Sequence, residues 1–349
     1  MNRRSLQHSK LAQIFLRPLS LLYGVIARVR VHAYASGWLT QGRLNAAVVS
    51  VGNLTAGGTG KTPMVLWLAE KFLAKGQRVA VLSRGYRGAH GTSDEVALLR
   101  TRLDERATIA ISANRFAAGA AVENGEAIDI FLLDDGFQHL QLARDVDILL
   151  MDASRSLTNE RLLPAGLLRE PVSAMTRADI LVFTRAETQP GVSAAVSHLA
   201  EYPVFAATTK LLGFRILGDK SISLLNASQI GEGPFFAFCG LGNPQQFFRD
   251  LETWRIATNG QRVFGDHHRY TAADVAALER AAEQSKSRAF VTTEKDAQNL
   301  TGVTLRQFPV YIAIIDIEVS QETDFLALIE AKIASKIAQR LAAAAGVPS

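Results

Sequence analysis

Residues 48–62 read V-V-S-V-G-N-L-T-A-G-G-T-G-K-T, and the way this stretch must bend sets the fold. Val48, Val49 and Val51 form a short, apolar, β-branched run of the kind buried in a parallel sheet. The run breaks into a glycine-rich loop, and Gly60-Lys61-Thr62 then opens an amphipathic helix expected over residues 63–73. Strand, loop and helix together are the setting of a phosphate-binding P-loop. Gly57, Gly58 and Gly60 let the backbone around Thr55, Ala56 and Thr59 turn its N–H groups inward, and the helix N-terminus adds a positive dipole end. Lys61 is placed to reach the β- and γ-phosphates of a nucleotide, and the Thr62 hydroxyl to sit on Mg²⁺. The general pattern has a glycine five positions before Gly60. Here Thr55 occupies that position, and the earlier glycine is Gly52.

The chain has 349 residues, enough for two domains with cores. With 48% apolar and 20% charged residues, it is globular rather than disordered. Its single cysteine, Cys239, excludes an internal disulfide, which suits a reducing compartment. The positive charge is unevenly placed. No acidic residue precedes Glu70, while Arg3, Arg4, Lys10, Arg17, Arg28, Arg30 and Arg43 are basic and alternate with an apolar series from Leu11 to Ile26. No uninterrupted apolar run reaches the roughly 18 residues of a membrane span. Ala33-Tyr34-Ala35 looks like a signal cleavage site, but Arg28 and Arg30 lie between it and the apolar run. A basic, apolar segment of this kind fits a helix lying in a membrane interface; the alternative is a helix packed on the protein's own surface. Basicity without a recognition motif does not point to nucleic acid.

Beyond the P-loop helix, apolar runs at residues 77–83, 127–133, 146–151, 180–184 and 204–208 read as strands alternating with helical stretches, a parallel and mostly doubly wound sheet. The second strand ends in R-G-Y-R-G at residues 84–88, at the sheet edge where ligands bind. Asp94, beside Glu95, fits a general base or metal ligand and fits a helix cap equally well. Residues 96–99 are helix-like or strand-like. Asp134 and Asp135 close the 127–133 run as D-D-G-F-Q-H, the Walker-B arrangement in which carboxylates hold Mg²⁺. His139 reads as a structural, hydrogen-bonded histidine. Arg169 and Glu170, in a loop punctuated by L-P-A-G and L-R-E-P, face the nucleotide or are ordinary surface charges.

The character changes near residues 210–225, where short alternating segments suggest a β linker into a second domain. Strand 235–239 leads through G-L-G-N-P, a weak dinucleotide pattern better read as a plain βα turn, into a helix at 245–253. Asp266, His267 and His268 lack the further ligands a zinc site needs, so one histidine paired to a carboxylate from the other domain is the better reading. A helix at 272–284, strands at 289–292 and 309–319, and an alanine-rich helix at 322–344 complete the chain.

The ordered set of motifs resembles the tetraacyldisaccharide 4′-kinases, the lipid A 4′-kinases of Gram-negative bacteria, through nearly the whole chain. It comprises G-N-L-T-A-G-G-T-G-K-T-P at 52–63, S-R-G-Y at 83–86, D-E at 94–95, D-D-G-F-Q-H at 134–139, L-P-A-G and L-R-E-P at 163–171, A-F-C-G-L-G-N-P at 237–244, D-H-H-x-Y at 266–270 and T-E-K-D-A at 293–297. That family looks to carry Ser or Thr at the Thr55 position. The resemblance implies an α/β fold: a P-loop NTPase core with a mostly parallel sheet (residues 41–210), a smaller α/β domain closing over the nucleotide (211–349), and an N-terminal membrane-associating helix (1–40). It implies transfer of the γ-phosphate of ATP, with Mg²⁺, to the 4′-hydroxyl of a tetraacylated disaccharide 1-phosphate at the cytoplasmic face of the inner membrane. The partners implied are the lipid and the membrane surface, with no nucleic acid and no obligate protein partner. Asp94 is the implied catalytic aspartate with His267 its partner, Thr62, Asp134 and Asp135 the metal residues, and Gln138 and Glu170 belong to the cofactor-binding set with the loop. Two other classes share the P-loop: an NTPase switch at the membrane without a phosphoryl acceptor, and a membrane-binding module with a vestigial nucleotide site. Retention of Lys61, Thr62, Asp134 and Asp135 speaks against the second.

Overall fold

The computed structural model describes residues 10–85, 94–154, 160–186, 202–219, 223–300, 302–303 and 305–345. Arg3, Arg4 and residues 86–88 of the R-G-Y-R-G loop lie outside the described residues. The chain divides into two compact units, Met1–Arg84 with Leu103–Thr208 and Glu318–Ser349, and Gly85–Arg102 with Thr209–Ile317.

In the first unit, β1 (Ala47–Asn53) is buried along its whole length, as its valines require. It pairs in parallel with β4 (Ile130–Asp134) and β5 (Val146–Asp152), with Val51 opposite both Asp134 and Ile148. Adding β2 (Val79–Ser83), β3 (Thr108–Ile111), β6 (Ile180–Thr184) and β7 (Val204–Ile216), the order is β3-β2-β4-β1-β5-β6-β7. The chain builds outward on one side of β1 and then on the other, so β1 is the switch point where an open α/β sheet binds its ligand. The loop after β1 is the P-loop.

α1 (Lys10–Ala35) is one continuous helix despite Pro18. Its Ser20 hydroxyl donates to the Leu162 carbonyl at 2.9 Å and accepts the Ala165 N–H, and Tyr23 donates to the Arg169 carbonyl at 2.9 Å. Gly24 allows this approach, because a Cβ there would lie 2.6 Å from Leu162. Phe15, Leu19, Leu22, Ile26 and Val29, spaced three and four apart, are all exposed. Among the described residues no helix is long and apolar enough to cross a membrane.

α2 (Lys61–Ala74) buries Met64, Val65, Leu68 and Phe72 completely. Burial of such a side chain contributes about 1.5–3 kcal/mol, so packing holds the helix although no side chain caps it. Its first N–H groups are left for something else. β2 starts two residues later than the apolar run suggests, because the Gln77 N–H closes the end of α2 on the Phe72 carbonyl. Likewise Asp129 pairs with Arg78 ahead of β4, which extends through Asp134. Residues 96–99 are helical, within α3 (Asp94–Leu103). β3 and α4 (Arg115–Gly125) carry no clear signal: β3 is only half-buried, and α4 holds Gly119 in its interior and ends on Gly125.

The second unit has the parallel order β11-β10-β8-β9, formed by β8 (Phe235–Cys239), β9 (Thr258–Val263), β10 (Ala289–Thr293) and β11 (Val310–Val319). Phenylalanines fill its core, including Phe214, Phe235, Phe238 and Phe290, with α5 (Pro244–Thr253), α6 (Ala272–Gln284) and α7 (Glu294–Asn299) around it. β9 was not evident in the sequence because T-N-G-Q-R-V is a polar, largely exposed edge strand.

Two segments fall differently from the sequence division into 41–210 and 211–349. The helix α8 (Glu322–Ala344) belongs to the first unit. Its Glu322 and Glu330 pair with Lys71 and Lys75 of α2, and Phe325 is fully buried 4.9 Å from the Phe205 ring. Residues 85–102, expected in the core, belong to the second unit, where Arg102 donates to the Ile315 carbonyl at 2.8 Å.

Candidate active site

The P-loop is braced at its entrance. The Asn53 side-chain amide, fully buried, donates to the Thr55 carbonyl at 2.8 Å, and the Ala56 N–H donates to the Leu167 carbonyl at 2.7 Å. Ala56 therefore spends its amide on the protein rather than on a phosphate. Gln138 donates to the Asn53 carbonyl at 3.0 Å, so it also shapes the loop. Farther on the loop is open. A Cβ added at Gly57 or Gly58 would meet nothing within 4 Å, and Gly57 and Gly60 have φ of 126° and 83°. Thr59 is buried and its hydroxyl has no hydrogen-bond partner among the described residues. The uncapped start of α2, with Lys61 and Thr62 in its first turn, completes a cradle of donors for an anion.

Asp134 and Asp135 sit at the end of β4, level with the loop. Asp134 is buried. Asp135 takes a left-handed φ of 52°, which swings its carboxylate towards Lys61, 3.6 Å away, and Arg169, whose Nη1 donates to both oxygens at 2.8 and 2.7 Å. Burial alone would raise the Asp135 carboxyl; Lys61 and Arg169 outweigh it and hold it below the ordinary range. The alternatives left open for the L-R-E-P loop thus divide. Arg169 belongs to this cluster. Glu170 is buried with both oxygens held by Arg177, at 2.6 and 3.1 Å, while that guanidinium lies 4.5 Å from the Phe137 ring. Glu170 is turned into the protein as an anchor, not out towards the loop. His139 is buried, and burial together with Arg115 and Arg144 pushes it down to about 4, so it is a neutral imidazole.

The carboxylate that meets His267 comes from its own unit and not from the other domain as expected, because residues 85–102 belong to the second unit and the start of α3 places Asp94 against His267. Asp94 Oδ2 is hydrogen-bonded to His267 Nδ1 at 2.9 Å and accepts from the Asn299 amide at 2.9 Å. Both of these bonds run to side chains. Burial works to raise the Asp94 carboxyl, yet the His267 and Asn299 hydrogen bonds take it down to about 2, while His267 is raised by the same bond. His267 adopts a φ of 58°, its Nε2 lies 3.8 Å from Asp266, and Asp266 accepts from Lys295 at 2.8 Å. His268 diverges to pair with Asp274 at 3.1 Å and stacks on Phe264. Among the described residues no three His, Cys, Asp or Glu converge as a metal cluster.

Sequence reading left Arg177, Asn299 and the pair Asp152–Arg185 unmentioned. Asp152 and Arg185 had a usable signal, a charged residue at the C-terminal tip of a buried strand; Asn299, in a run of polar helix residues, had none.

A family model described as tetraacyldisaccharide-1-P 4′-kinase matches residues 12–334. The tetraacyldisaccharide 4′-kinase of Geobacter sulfurreducens is 39% identical over 313 residues, 84% of this chain and 86% of the relative. That of Geobacter metallireducens is 38% identical, covering 88% and 94%. A solved structure, the "apo" form of LpxK from Aquifex aeolicus in complex with ATP, superposes with a TM-score of 0.72 at 28% identity, covering 92% of this chain and 99% of that one.

Proposed function

The chain belongs to the tetraacyldisaccharide-1-P 4′-kinase family, and from that premise we propose that it moves the γ-phosphate of ATP to the 4′-hydroxyl of a tetraacylated glucosamine disaccharide 1-phosphate. The observation that carries kinase over plain nucleotide hydrolysis is the Asp94–His267 pair at 2.9 Å. A nucleotide switch has no use for a carboxylate held by imidazole and amide; an acceptor hydroxyl does.

Phosphoryl transfer asks for positioning and charge neutralisation more than for covalent chemistry. The Gly57–Gly60 stretch and the first turn of α2 supply N–H donors to the phosphates, and Lys61 adds a fixed charge. Thr62, Asp134 and Asp135 would hold Mg²⁺. The donor set fits that ion, being all oxygen and small, as expected where phosphate oxygens complete the coordination. Bound there, Mg²⁺ supplies neutralisation of charge on the phosphate oxygens. Lys61 and Arg169, which face Asp135, would share that carboxylate with the ion. Asp94 accepts the hydroxyl proton. Its contacts with His267 and Asn299 both fall on Oδ2, so among the described residues Oδ1 is the oxygen turned to the acceptor. A carboxylate of low basicity serves because the transition state is loose and the proton leaves late. His267 fixes the carboxylate's orientation.

The exposed apolar face of α1, flanked by Arg17, Arg28 and Arg30, supports docking on a membrane surface, and the cytoplasmic face of the inner membrane is where ATP and such a lipid meet. The test gives the protein γ-labelled ATP, Mg²⁺ and the disaccharide 1-phosphate in detergent micelles, followed by thin-layer chromatography. Label moving with the lipid, and lost in Asp94→Ala, is expected. Label found only as free phosphate would leave a nucleotide hydrolase.

A further inference from the structure

The tips of β5 and β6 carry a charged pair that the chemistry above does not use. Asp152 ends β5 and Arg185 follows β6, with Asp152 in register with Thr184. Arg185 Nη1 is ion-paired with Asp152 Oδ2, and both side chains are largely buried. The other oxygen of Asp152 accepts from the Ser154 hydroxyl at 2.6 Å and the Ser154 N–H at 3.0 Å. The two tips are joined further by the Ala153 N–H, which donates to the Thr184 carbonyl at 2.9 Å. From this anchored position Arg185 Nη2 reaches into the P-loop and donates to the Gly58 carbonyl at 3.0 Å.

That contact falls on the open part of the loop. The Gly58 carbonyl and the Thr59 N–H belong to one planar trans peptide and point in opposite directions. Holding the carbonyl towards Arg185 therefore aims the Thr59 N–H the other way, to the side where a phosphate would be bound. Apart from Arg185 this peptide has little to hold it among the described residues: a Cβ at Gly57 or Gly58 would meet nothing within 4 Å, and the Ala56 N–H is the last donor of the entrance brace. An arginine suits the task because its planar fork meets a carboxylate with one nitrogen and a carbonyl with the other, which a lysine ammonium cannot do in the same geometry. Arg185 itself adopts a left-handed φ of 59°, a conformation a non-glycine residue holds only against a steric cost.

We propose that Arg185, anchored by Asp152, is a positioning residue that presets the Gly58–Thr59 peptide of the P-loop for the phosphates of the nucleotide. The proposal rests on the reading of this loop as the ATP site. Its consequence is selective. Losing the bracket weakens nucleotide binding and leaves the acceptor chemistry at Asp94 alone.

The experiment titrates full-length protein calorimetrically with ATP in excess Mg²⁺ and no acceptor lipid, for the wild type, Arg185→Ala, Arg185→Lys and Asp152→Asn. Melting temperatures and circular dichroism are recorded for each. Arg185→Ala is expected to raise the ATP Kd about tenfold or more, with Arg185→Lys and Asp152→Asn in between. In turnover assays the KM for ATP rises while kcat stays within a few-fold. If Arg185→Ala does not fold, the two milder variants carry the same expectation. A variant that melts earlier but binds ATP with unchanged affinity would overturn the proposal, because Arg185 would then serve only the fold. Failure of the wild type to bind ATP would instead overturn the reading of the loop on which the bracket depends.

Discussion

Around Lys61 the first unit gathers cations and backbone donors: Lys61 and Arg169 converge on Asp135, and Asn53, Gln138 and Arg185 hold the loop's carbonyls. Around His267 the second unit gathers carboxylates: Asp94 on one ring nitrogen and Asp266 near the other, with a single lysine beyond. The first arrangement is a set of donors and cations of the kind a polyanion needs. The second is a small polar relay, with His267 45% exposed at the side chain, suited to a neutral hydroxyl. On the proposed reading, binding energy and proton handling fall to different parts of the chain.

Separating two substitutions tests that division hardest. Lys61→Ala is expected to abolish measurable ATP binding along with turnover. Asp94→Ala is expected to cut turnover by about 10² to 10⁴ while the ATP Kd changes little. Equal damage to ATP affinity from both would break the comparison. Next in size is Glu170→Ala. Removing one partner of a buried ion pair costs about 3–5 kcal/mol, so urea unfolding should show a loss of that order, with ATP affinity kept within a few-fold. Weakened ATP binding at unchanged stability would move Glu170 back among the nucleotide contacts.

The smallest effect is a pH dependence in the second unit. Asp94 is depressed to about 2, so its contribution to stability is present above the ordinary carboxylate range and lost as pH falls towards 2. His267 is raised, so its contribution is present below about 6.5 and lost as pH rises through its folded value. The stability gap between wild type and His267→Ala should therefore be widest from about pH 4 to 6.5 and narrow on both sides. A gap independent of pH would mean that the two groups do not titrate as a pair.

What the sequence reveals follows the same line. β1, β4, β5, β6 and β8 are buried on both faces and read as continuous apolar runs, and the loop after β1 carries its glycines and Lys61 in a fixed order. Local chemistry of that kind is legible. Arg169 against Asp135, Arg177 against Glu170 and Arg185 against Asp152 are not, because each pairs residues from separate loops or strand tips and an arginine looks the same whether it faces water or a carboxylate. The strand β9 is hidden because an edge strand needs no apolar face, and α8 joins the first unit only through contacts formed some 251 residues away along the chain.

That last separation bears on how the protein is made. Chains emerge from the ribosome at about 5–20 residues per second, and domains ordinarily fold in the order of synthesis. Here the Trp67, Phe205 and Phe325 cluster and the Lys71–Glu322 pair cannot form until residues 322–344 have been translated. The second unit is complete earlier, at Ile317. The first unit, first to begin, is therefore finished after the insertion it contains. Its surface beside α2 is covered only then, a non-local closure of the kind that slows folding.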